Sequence, residues 1–122
     1  MTNFIEKMVG DFGEKRRWKE YKARTKALPA PYRTAIEGVE RYLMHKGAIT
    51  RGATLVKMLE DLADLFEQAA TDATPIRTIV GDDPVEFADA FLANYSEDEW
   101  IAKERTRLTD TIAKAESEEG GS

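Results

Sequence analysis

Apolar residues return along this chain at steps of three and four, with polar residues between them, so the pattern predicts helices. Phe4, Ile5, Met8, Val9 and Phe12 make the first stripe, and Asn3 with Glu6 is spaced as an N-cap and its returning carboxylate. Gly10 and Gly13 weaken that helix, while Asp11 and Glu14 offer a fresh start, so a break is expected near residues 10–13. From Glu14 to Ala27 the chain is charged, with a thin apolar face at Trp18 and Tyr21, and Leu28-Pro29 closes it. Pro31 suits the first turn of the next helix, where a missing N–H costs nothing. Tyr32, Ala35, Ile36, Val39, Tyr42 and Leu43 form its inner face, and Gly47 after His45-Lys46 reads as its C-cap.

The strongest stripe runs from about Arg51 to Thr71. Leu55, Met58, Leu59, Leu62, Leu65, Phe66 and Ala69 predict the spine of the core, and Glu60, Asp61, Asp64 and Glu67 lie mostly on the other side. Thr74-Pro75 opens a short helix through Ile76, Ile79 and Val80, which Gly81 stops. Asp83, Pro84 and Glu86 read as N-cap, first and third helical residues, with Phe87, Phe91 and Leu92 as the buried face. Ser96 and Glu99 form a second capping box, flanked by Tyr95 and Trp100 as a hydrophobic staple. A separate last helix is therefore expected from Ser96, carrying Trp100, Ile101, Glu104, Leu108, Thr111, Ile112 and Ala115. Glu116 to Ser122 is rich in Glu, Gly and Ser and reads as a disordered tail. Nothing alternates as a strand would, and no repeat is convincing. The expectation is an all-α single domain over residues 1–115, of five to seven helices in a compact bundle or short superhelix, with a tail at 116–122.

Composition narrows the chemistry. A chain of 122 residues is one domain by length and needs no disulfide or metal to fold. It holds no cysteine and one histidine, which leaves no thiolate zinc site, iron–sulfur cluster, Cys nucleophile or His-pair metal site. His45 suits a cation at a helix C-terminus. Glu60, Asp61, Asp64 and Glu67 lack the Glu-x-x-His partners of a di-metal bundle and read as a solvated face. Asp82-Asp83 lacks the ligand alternation of a calcium loop and reads as capping. The glycines make no phosphate cradle, and Ser96 and Ser117 have no nucleophile-elbow context. No catalytic residue, metal or cofactor is expected, and an enzyme is not the reading. The first residues do not form a signal peptide, and no apolar run approaches the length of about 18 that a membrane span needs, so a cytoplasmic protein is expected.

The net charge of −5 conceals a division. Residues 1–57 carry +7 and residues 58–122 carry −12. Either the two halves pair within the fold, or they form two separate interaction surfaces. Seven of the 12 residues from Lys15 to Lys26 are cationic, interleaved with Trp18 and Tyr21. Arg16, Arg17, Trp18, Lys19, Lys22 and Arg24 are the candidate interaction surface. Such cations would serve phosphate binding through counterion release. The acidic total and the want of a basic recognition helix favour an acidic protein partner over nucleic acid.

Several stretches resemble a known family. They are Asn3-Phe4-Ile5-Glu6-Lys7-Met8-Val9-Gly10-Asp11, Trp18-Lys19-Glu20-Tyr21-Lys22-Ala23-Arg24, Leu28-Pro29 with Tyr32-Arg33, Leu62 to Ala70, and Val80-Gly81-Asp82-Asp83-Pro84-Val85-Glu86-Phe87. In order and spacing they are similar to the small bacterial proteins of domain-of-unknown-function family 1048, over roughly residues 3–112. The resemblance implies a bundle similar to that of bromodomains and brings no catalytic residues. It also implies an association with winged-helix regulators of the PadR type, beside which members are often encoded. An acetyl-lysine-reading function does not follow from the likeness of bundles.

The leading expectation is a non-enzymatic helical interaction and signalling module that modulates a PadR-like winged-helix transcriptional regulator. The alternative is a small-molecule-sensing bundle with an apolar pocket between helices. Direct DNA binding through Arg16, Arg17, Lys19 and Lys22 ranks third. Self-association is open, and depends on how much of Trp18, Tyr21 and Trp100 is exposed.

Overall fold

A computed structural model describes residues 12–49 and 51–121, in which five helices and no strand occur. They are α1 (Phe12–Ala27), α2 (Ala30–Lys46), α3 (Gly52–Thr71), α4 (Ile76–Val80) and α5 (Pro84–Gly121). The apolar stripe Phe4–Val9 and its Asn3 cap lie outside the described residues.

The fold is organised around α3, whose stripe is the most apolar. Leu55, Met58, Leu59, Leu62 and Phe66 are all buried, joined by Val56 and Ala63. Leu65, expected in the seam, is exposed, because α3 is covered on fewer sides than the stripe is wide. Ile36, Val39 and Leu43 from α2 and Ala88 and Leu92 from α5 close over this spine. α1 contributes little apolar surface. Only Tyr21 and Thr25 on it are buried, while Trp18 packs part-buried against the core.

Local chemistry sets most helix ends. Pro29 precedes α2 and Pro31 sits in its first turn. Gly47 ends α2 with φ +62°, a left-handed conformation that glycine adopts without the clash a Cβ would make. Gly81 ends α4 at φ +76° and ψ −166°, a region open essentially to glycine alone, and donates its N–H to the Arg77 carbonyl. The Asp83 carboxylate accepts the N–H groups of Val85 at 3.0 Å and Glu86 at 3.2 Å, which caps the start of α5.

Two expectations are corrected at the end of the chain. No helix starts at Ser96, since α5 runs unbroken for 38 residues from Pro84 to Gly121. Leu92 and Glu99 are buried on either side of Ser96 and keep the backbone in one helix. A serine inside a helix costs only a few tenths of a kcal/mol, roughly, against that burial. The 116–122 stretch reads as a disordered tail in sequence, yet α5 is helical as far as Gly121. Ala113, Lys114, Ala115, Glu116, Glu118 and Glu119 are residues of high or adequate helix propensity, which outweighs the polar composition.

No helix among the described residues is long and apolar enough to cross a membrane.

Candidate functional site

The basic segment of α1 faces the acidic side of α3. Arg17 donates from Nε to Oε2 of Glu60 at 3.0 Å and from Nη2 to Oε1 at 2.6 Å. Arg24, two turns on, donates to both Glu67 and Asp64. The Arg17 hydrogen bond holds the Glu60 carboxyl below the usual carboxylate range, against a smaller opposing effect of burial. Thus three of the α3 carboxylates read in sequence as a solvated face, Glu60, Asp64 and Glu67, are in fact the seam between α1 and α3, while Asp61 faces Tyr95 of α5. Opposite-sign halves of the chain meet there, as one of the two readings of the charge division expects.

This changes the standing of the six residues named as an interaction surface. Arg17 and Arg24 hold α3, and Lys22 meets Glu40 of α2 at 3.1 Å. Trp18 is half-buried, with the Lys22 ammonium 5.3 Å from its ring centre. Arg16 and Lys19 are the exposed cations of the set, and the Arg16 guanidinium lies 5.9 Å from the ring centre of Phe12. The structure therefore gathers four of the six into the bundle and presents two outward.

All four tyrosines of the chain tie one element to another, a pattern that helical periodicity does not reveal. Tyr21 donates to Glu40 at 2.8 Å, Tyr32 to the Thr74 carbonyl at 2.6 Å, Tyr42 to Asp89 at 2.8 Å and Tyr95 to Asp61 at 2.6 Å. Burial, then the Glu40 carboxylate, pushes the Tyr21 phenol far above its ordinary range, so it stays a donor. Burial and the bond to Asp61 raise Tyr95 in the same direction. Burial alone would raise Asp61, but hydrogen bonds from Lys57 and Tyr95 outweigh it and hold this carboxyl low.

The spacing of Glu99 after Ser96 fits the third residue of a helix starting there. Instead Glu99 lies inside α5, 2% exposed, and its Oε1 accepts the Arg51 N–H at 3.1 Å. Its carboxylate thus sits at the start of α3, where the helix dipole favours negative charge. The residue does cap a helix, but a different one. Only the tertiary fold could show which.

His45 is exposed in the last turn of α2, and its Nδ1 donates to the Arg41 carbonyl at 2.9 Å. Among the described residues, no three His, Asp or Glu side chains gather to hold a metal.

Two surface features carry more than packing. The first is an apolar cleft of about 320 Å³ between α2, α4 and α5. Ala35, Gly38, Tyr42, Arg77, Val80 and Val85 are among the residues that line it. Nothing lies within 4 Å of where a Cβ on Gly38 would be, so this glycine leaves open space in the wall. The second is the distal half of α5. Every side chain from Arg105 to Gly120 is exposed, and Trp100, Leu108 and Ile112 are 63%, 63% and 52% exposed. Sequence periodicity finds this stripe but not that the bundle leaves it uncovered.

Residues 3–113 match the family described as Protein of unknown function (DUF1048). No curated protein matches the chain.

Proposed function

The chain belongs to the DUF1048 family of proteins of unknown function, and on that premise we propose that it is a non-enzymatic, cytoplasmic interaction and signalling module. Its proposed role is to modulate a winged-helix transcriptional regulator of the PadR-like kind. The observation that supports this most is the distal half of α5, a helix that leaves the bundle with Trp100, Leu108 and Ile112 uncovered. Large apolar side chains on a protruding helix are the ordinary means of helix-mediated recognition. The PadR-like partner is the one that the family resemblance suggests. Arg16 and Lys19, exposed on α1, offer that partner's acidic groups a second point of contact.

The test is calorimetry and co-elution of the full chain with a winged-helix regulator of the PadR-like type from the same genome. Binding that weakens in a Trp100→Ala variant supports the reading. No heat and no co-elution at low salt overturns it.

A second reading has its own support. The cleft beside Gly38 has the size and apolar lining of a small-ligand site, as a ligand-sensing bundle would need. A thermal-shift panel of apolar cations and drug-like compounds tests it. A shift lost in Gly38→Trp supports it, and no shift with any compound counts against it.

A further inference from the structure

We propose that the distal half of α5 pairs antiparallel with the same segment of a second copy of this chain. The inference rests on reading this segment as an interaction surface; a second copy occupies the Leu108 and Ile112 seam, which leaves Trp100, off that seam, and the exposed α1 cations to the regulator.

The argument begins with what the segment lacks. A helix of about 15 residues or fewer is marginal in water without tertiary support. From Arg105 to Gly120 every residue is exposed, so no burial in the bundle supports this stretch of helix. Yet its sequence is not that of a solvated helix. Ile101, Leu108 and Ala115 recur at seven-residue intervals, and Ile112 lies one turn beyond Leu108 on the same face. Leu108 and Ile112 are both more than half exposed. Such a seam gains by meeting a like seam.

Charge then selects the occupant and its direction. Lys103, Arg105 and Arg107 make the beginning of the segment basic, with Glu104 as its one acid. Glu116, Glu118 and Glu119 make its end acidic. A parallel pair would place like charge against like. An antiparallel pair places the basic beginning of each copy beside the acidic end of the other. Arg105 and Glu116 lie on the same flank of the seam, and in antiparallel helix pairs same-side flanks face each other. Pairing these two residues in both directions puts the two-fold axis between Asp110 and Thr111, midway along the segment. Leu108 and Ile112 then meet their counterparts near the centre. The surface is self-complementary, as a closed two-fold dimer requires.

The absence of cysteine makes the geometry directly testable. Light scattering of the full chain across a dilution series is expected to show twice the 13.7 kDa chain mass at the concentrated end. The double variant Leu108→Lys with Ile112→Lys is expected to halve that mass. Its circular dichroism should keep the bundle signal, because neither side chain is buried. Under mild oxidation Thr111→Cys is expected to cross-link to itself, since it lies beside the axis. Arg105→Cys should not, but a mixture of Arg105→Cys and Glu116→Cys should. A wild-type chain that stays monomeric overturns the dimer. Self-cross-linking of Arg105→Cys overturns the antiparallel direction, and an undiminished mass in the lysine variant overturns the surface. The regulator is absent from all of these measurements, so their failure is separate from a failure of regulator binding in calorimetry.

Discussion

Arg24 holds Glu67 with two parallel hydrogen bonds, Nε to Oε2 at 2.9 Å and Nη2 to Oε1 at 2.7 Å. Arg17 holds Glu60 in the same two-point manner, and both pairs span the same 43 residues of sequence. Equal offsets mean that α1 and α3 run in the same direction, with two full turns between rungs. A helix with so little apolar surface as α1 is thereby fixed in register by charge as well as by Tyr21. Forked arginine–carboxylate pairs carry more geometric specificity than lysine pairs can.

The rungs are partly exposed, so their energy is small even where their geometry is good. A double-mutant cycle of Arg24→Ala and Glu67→Ala in urea denaturation is expected to give a coupling of about 0.5–1 kcal/mol. The coupling should shrink as salt is raised, because exposed charges are screened. A coupling of zero at low salt would mean that the rungs add nothing to register.

The continuity of α5 can be checked at its two serine and aspartate candidates for capping. Asp83 accepts two backbone N–H groups, so Asp83→Ala is expected to destabilise the chain by about 1 kcal/mol. Ser96 is an interior helical residue, so Ser96→Ala should be neutral or stabilising by a few tenths of a kcal/mol, roughly. If Ser96→Ala costs as much as Asp83→Ala, a helix does begin there in solution.

These residues also show what a sequence can disclose. Asp83 and Gly47 act within a few residues of themselves, and their roles were legible from spacing alone. Leu55 to Phe66 were legible because a wide apolar stripe has only one place to go. Ser96 is misleading because the same local motif starts one helix and continues another, and burial of Leu92 and Glu99 decides between them. The partners of the α3 carboxylates are not legible, because periodicity tells which side of a helix is polar, but not that other helices lie on it. The cleft beside Gly38 had no signal, since it arises where three helices fail to fill space.

Tyr21 tests the value of the phenol ties. It is 1% exposed, and Tyr21→Phe would keep its packing while leaving Glu40 with Lys22 as its remaining hydrogen-bonded partner. A loss of about 1–2 kcal/mol is expected in chemical denaturation. Tyr42→Phe removes a more exposed bond to Asp89 and is expected to cost less. Equal costs would show that burial does not set the strength of these ties.

Gly38 sits inside α2 in an ordinary helical conformation, with open space beside it. Gly38→Ala is therefore expected to stabilise the chain by about 0.5–1 kcal/mol, through lower backbone entropy in the unfolded state. Destabilisation on calorimetric melting would show that the wall of the cleft is tighter than its geometry indicates.

Acid is expected to cost stability through Glu60 and Asp61. Both carboxyls are held below their ordinary values, Glu60 chiefly by the Arg17 hydrogen bond and Asp61 by Lys57 and Tyr95 against the opposing effect of burial. A group lowered in the folded state binds fewer protons there than in the unfolded chain. Its contribution is therefore complete above the unfolded value of about 4. That contribution falls as the pH drops through the folded value. Urea denaturation from neutral pH downward should show a plateau and then a loss of stability below about pH 4. The double variant Glu60→Gln with Asp61→Asn starts less stable, because Arg17 and Lys57 lose their charged partners, and it should lose less on acidification. A variant curve parallel to the wild type through the acid limb would place the acid sensitivity in other carboxylates.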